Sequence, residues 1–138
     1  MDRRLFLAAA GAAIAASPAM AANGIRYKRG LVEAELAAGN TVFLDFYADW
    51  CSTCRVQGVR IRNLMRANPA YEENITFIQI DWDRHARARI SKELRIPRRS
   101  TLVALKGDAE IGRLIAVTAE EPIKRLMDEA LAAATAGA

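Results

Sequence analysis

Along the chain, apolar residues fall in runs whose spacing switches between the helical and the extended period. Residues 31–38 read as a short helix that Gly39-Asn40 stops. Thr41–Tyr47 is β-branched and aromatic, the pattern of a buried strand, with one acid, Asp45, in its middle. Ser52–Ala67 has helical spacing through Val56, Val59, Ile61, Leu64 and Met65 and ends before Asn68-Pro69. Residues 74–81 read as a second strand, with Ile75, Phe77, Ile78 and Ile80 as its apolar positions. Residues 84–94 suggest a helix and residues 101–105 a third strand. Gly107-Asp108 marks a turn into a fourth strand at 110–117. A closing amphipathic helix over 120–133 carries Ile123, Leu126, Met127, Ala130 and Leu131 on one face.

Helices between strands make parallel neighbours, and the tight turn makes an antiparallel pair. The expected architecture is α/β, a four-stranded mixed sheet sandwiched by helices. No Pro/Gly/Ser linker, repeat or low-complexity stretch divides residues 23–138, so they are expected to form one domain. Residues 1–22 read differently. Arg3-Arg4 precedes a short alanine-rich apolar run, and Ala19-Met20-Ala21 offers small residues to a peptidase. That is the pattern of an export signal peptide, and Arg3-Arg4 followed by Leu5-Phe6-Leu7 resembles the twin-arginine type. The expected location of the protein is the periplasm.

Composition narrows the function classes. The 138 residues carry a net charge of +4. The excess is spread along the chain without a nucleic-acid recognition motif, so nucleic acid is not an expected partner. The chain has two cysteines, Cys51 and Cys54. A disulfide closing so short a loop adds little stability, so the pair suggests chemistry. Cys51 falls where a strand gives way to a helix. There the unpaired amides and the helix dipole favour thiolate over thiol. Cys54, one turn on, is placed to resolve a mixed disulfide on Cys51. The one histidine, His85, is too little to complete a zinc site and reads as a solvated surface residue. Haem attachment would need histidine at position 55, where Arg55 stands. Asp45 is costly in a buried strand unless paired, hydrated or neutral. A carboxyl with a raised pKa that takes the proton of Cys54 explains it.

Asp45-Phe46-Tyr47-Ala48-Asp49-Trp50-Cys51-Ser52-Thr53-Cys54 resembles the active-site segment of the thioredoxin family. Residues 78–81 and 101–107 also resemble family strands, and the likeness extends from about Leu31 onward. The run Tyr47-Ala48-Asp49-Trp50-Cys51 is similar to the carboxy-terminal domains of periplasmic reductases of the DsbD type. The resemblance implies a thiol–disulfide oxidoreductase without a cofactor or metal, with Cys51, Cys54 and Asp45 catalytic. It implies a monomer that exchanges electrons with cysteine-containing periplasmic proteins, as a reductase fed by a membrane-bound donor. Three departures stand out. Ser52-Thr53 replaces the family's Gly-Pro between the cysteines, Phe77 replaces a basic residue, and Ser100 aligns with the family's cis-proline. Either Pro97, three residues earlier, takes that proline's place against the cysteines, or Ser100 does. Substrate contacts are expected from Trp50, Ser100, Pro97 and Arg99, with Arg98 and Arg99 bordering Cys51. The alternative function is a binding module whose cysteines hold copper, another soft metal, or a cluster shared between two chains.

Overall fold

The computed structural model describes residues 20, 21 and 23–136. Their strands are β1 (Met20–Ala21), β2 (Gly24–Arg26), β3 (Thr41–Tyr47), β4 (Ile75–Asp81), β5 (Thr101–Lys106) and β6 (Ala109–Ile115). Their helices are α1 (Leu31–Ala37), α2 (Ser52–Ala67), α3 (Ala70–Asn74), α4 (Trp82–His85), α5 (Arg89–Glu93) and α6 (Glu120–Thr135). One sheet runs in the order β1-β2-β4-β3-β5-β6. β2, β4 and β3 are parallel, while β1, β5 and β6 join antiparallel.

The alternation of side chains along the central strands builds a core on each face of the sheet. Phe43, Phe77 and Leu102 point to one face, where Ile61 and Leu64 of α2, Tyr71 of α3 and Met127 of α6 cover them. Leu44, Ile78 and Val103 point to the other, against Val32 of α1 and Ile90 of α5. By the same alternation Asp45 shares the face of Phe43, under α2. Gln79 lies directly across from it in the β3–β4 register.

The mixed sheet between helices is as expected, but it has six strands instead of four. β2 adds parallel to β4, and Gly24 makes that approach feasible. Its φ is +132°, and a Cβ there would stand 2.2 Å from the Phe77 carbonyl oxygen. The helix expected over 84–94 is two short ones. Asp81 starts the first early by accepting a bond from the Asp83 amide at 3.0 Å. Ala88, at φ −66° and ψ 156°, is extended and breaks the run before α5. Residues 84–89 also supply no apolar stripe to hold a longer helix down. The expected export signal lies outside the described residues except for Met20 and Ala21, which pair with Ile25 and Gly24. No helix among the described residues is long and apolar enough to cross a membrane. At the far edge of the sheet, β6 carries an ion pair between Arg113 and Glu110 at 2.7 Å. Arg113 also donates to the Leu94 carbonyl at 2.8 Å.

Candidate active site

Cys51 caps the amino terminus of α2 in extended conformation, with φ −94° and ψ 113°. Its sulfur accepts the Cys54 amide at 3.1 Å, the bond that a serine or aspartate oxygen makes in an ordinary cap. The two cysteines form a disulfide with Cα atoms 5.3 Å apart. On reduction, the amide and the positive end of a sixteen-residue helix both favour negative charge on Cys51. Both sulfurs are sunk in the surface, with Cys51 4% and Cys54 5% exposed.

Ser100, and not Pro97, meets the cysteines. Its Oγ lies 3.2 Å from Cys51 Sγ and 3.0 Å from Cys54 Sγ. Pro97 is exposed on the loop before it, and it is Ser100 that holds the position against the sulfurs. No peptide bond among the described residues is cis. Ser100 instead turns the chain with a left-handed φ of 65°, which costs a non-glycine residue roughly 1–2 kcal/mol. Its surroundings hold it there. The Ser100 amide donates to the Phe46 carbonyl at 2.7 Å, and its own carbonyl accepts from Ala116 at 2.8 Å. Gln57, wholly buried in α2, donates to the carbonyls of Ser100 at 3.1 Å and Val117 at 3.0 Å. The spacing of apolar residues gave no sign of Gln57. Only its position one turn beyond Cys54 marked it.

Asp45 is buried, and its Oδ1 has no hydrogen-bond partner among the described residues. Burial pushes its carboxyl up from an ordinary 3.8 to about 7, and the Gln79 side chain holds back part of that rise. Phe77, which takes the place of a basic residue, packs in the core. Asp45, Cys54, Gln79, Asn23, Arg55 and Arg62 all line one cavity of about 450 Å³. A carboxyl that titrates near neutrality and a sulfur thus share a polar space through which a proton can travel. Asn23 closes one wall. Its amide donates to Gln79 Oε1 at 3.1 Å and its side chain to the Gly58 carbonyl at 3.2 Å.

Trp50 is 59% exposed beside the sulfurs. Arg99 stacks on its ring at 4.3 Å, and its indole nitrogen donates to Asp83 at 2.9 Å. The cation and the acid fix the ring as an apolar shelf. Arg98 turns back to donate to the Arg99 carbonyl at 3.0 Å. His85 is half-buried, edge-on to Tyr27 at 4.9 Å, and so is less solvated than expected. Among the described residues no group of three or more His, Cys, Asp or Glu side chains is arranged to hold a metal ion.

A family model described as Thioredoxin matches residues 28–129. Among solved structures, the chain is similar to a protein named Trxlp from Edwardsiella tarda, at 27% identity and a TM-score of 0.61. The match covers 75% of this chain and 93% of that one. A thioredoxin from Malassezia sympodialis matches at 19% identity and a TM-score of 0.61, covering 77% and 92%. A mutant thioredoxin from Halobacterium salinarum matches at 19% identity and a TM-score of 0.62, covering 85% and 96%.

Proposed function

The chain belongs to the thioredoxin family and is, through Cys51 and Cys54, a thiol–disulfide oxidoreductase, and from that premise we propose that it works in the periplasm as a reductase of protein disulfides. The carrying observation is the Cys51 sulfur at the start of α2, accepting the Cys54 amide. In this reading the Cys51 thiolate attacks a substrate disulfide. One substrate sulfur leaves as a thiolate, and the other stays bonded to Cys51. Cys54 then passes its proton to the Asp45 carboxylate and attacks the Cys51 sulfur. The Cys51–Cys54 bond forms, the bond from Cys51 to the substrate breaks, and the substrate departs fully reduced. Trp50 and Arg99 border the approach, and a membrane-bound donor returns two electrons to the pair.

The periplasmic assignment rests on the export pattern of residues 1–22, and the direction on the DsbD-like run that ends in Cys51. A Cys54→Ser variant expressed with its native leader is expected to accumulate mixed disulfides with periplasmic proteins, which mass spectrometry identifies. Equilibration with glutathione is expected to give a potential near the roughly −270 mV of thioredoxin. A value near the roughly −120 mV of DsbA would replace reductase by oxidase.

A further inference from the structure

The Ser100 side chain is completely buried, and its hydroxyl touches both sulfurs. The two sulfurs are not equally served. Cys51 Sγ also accepts the Cys54 amide, while Cys54 Sγ has no hydrogen-bond partner except Ser100 among the described residues. A hydroxyl has one hydrogen and turns it freely about the Cβ–Oγ bond. At 3.2 and 3.0 Å it reaches either sulfur without displacement of a heavy atom. The backbone of Ser100 is meanwhile pinned by Phe46, Ala116 and Gln57, so the oxygen stays where it is. A proline at this place would offer no such donor.

We propose that Ser100 is a catalytic residue that passes a single hydrogen bond from the Cys51 thiolate to the Cys54 thiolate as the charge moves between them. The proposal rests on the exchange reading above. Before attack, the hydroxyl and the Cys54 amide together stabilise the Cys51 thiolate. Once Cys51 is tied up in the mixed disulfide its charge is gone, and the hydroxyl turns to Cys54. The proton of Cys54 goes to Asp45, and the hydroxyl holds the thiolate that remains. As the Cys51–Cys54 bond forms and the bond from Cys51 to substrate breaks, the electron pair leaves with the substrate sulfur. Ser100 keeps its own proton throughout. Because Ser100 is the one hydrogen-bond partner of Cys54 Sγ among the described residues, while Cys51 Sγ keeps the Cys54 amide, loss of the hydroxyl should slow resolution far more than the first attack.

Two variants without the hydroxyl test this. Ser100→Ala is the plain deletion, and Ser100→Gly accommodates the left-handed backbone if alanine does not fold. The first attack is read as release of thionitrobenzoate from Ellman's reagent in a Cys54→Ser background. The second is read from the Cys51 thionitrobenzoate adduct of the two-cysteine protein, formed in acid and then brought to neutral pH. Loss of one hydrogen bond to a charged sulfur should slow the second release roughly tenfold in both variants, and the first much less. Equal slowing of both steps, or an unchanged second release, overturns the role of Ser100. A wild-type adduct that never releases its thionitrobenzoate overturns the exchange reading itself, which separates the two failures.

Discussion

Asp45 loses more by burial than Gln79 returns to it, and its protonated form is favoured up to about pH 7. The unfolded chain releases that proton near 3.8, so across this window the folded state binds the extra proton and stability falls as pH rises. At about 1.4 kcal/mol per pH unit, the loss reaches roughly 4 kcal/mol above pH 7. Asp45→Asn cannot ionise. Urea unfolding should show the variant near wild type in mild acid and progressively more stable than wild type toward pH 8. Parallel pH profiles would mean that Asp45 is hydrated and titrates normally. This residue was legible in the sequence, since one acid in an otherwise apolar strand stands out. So were Cys51 and Cys54 by their spacing. The choice between Ser100 and Pro97 was not legible, because it depends on a backbone angle that Ser100 adopts only with Phe46, Ala116 and Gln57 around it.

In α2 the boundaries were readable, and so was the later part of the buried face, Ile61, Leu64 and Met65, but its beginning was not. Val56 and Val59 counted toward the apolar stripe, yet they are 38% and 41% exposed. Cys54, Gln57 and Gly58 take their place, ahead of the expected Ile61, Leu64 and Met65. That stripe has helical spacing, but its first turn is made of sulfur, amide and glycine, which a search for hydrocarbon does not count. The amide hydrogens of Gln57 are used twice, on Ser100 and on Val117, while its Oε1 has no hydrogen-bond partner among the described residues. Gln57→Ala strands the Val117 carbonyl and weakens the hold on the left-handed turn. It should cost roughly 1–3 kcal/mol in urea unfolding. A variant as stable as wild type would mean that water replaces the amide at both carbonyls.

For the molecule as a whole, strands β3 to β6 and the helices that cover both faces followed from the apolar runs and the turn at Gly107-Asp108, while the added edge did not. β2 has three residues, too few to show a period, and its place is set by contact with the Phe77 backbone. Gly24→Ala should therefore push β2 off β4. Amide exchange at Ile25 and at Tyr27, whose N–H bonds the Gln79 carbonyl at 2.9 Å, should accelerate while β3 and β5 stay protected. Unchanged protection would show that the edge adapts to the methyl group. The opposite margin of the sheet is β6, whose outer backbone row has no strand beside it among the described residues. An extended chain from another molecule could in principle dock there and prolong the ribbon. Glu110 and Arg113 put opposite charges along that strand, and Arg113 is further tethered to Leu94. A would-be additional strand must strip water from these charges before it gains a single ladder bond, so the molecule discourages its own polymerisation at this margin.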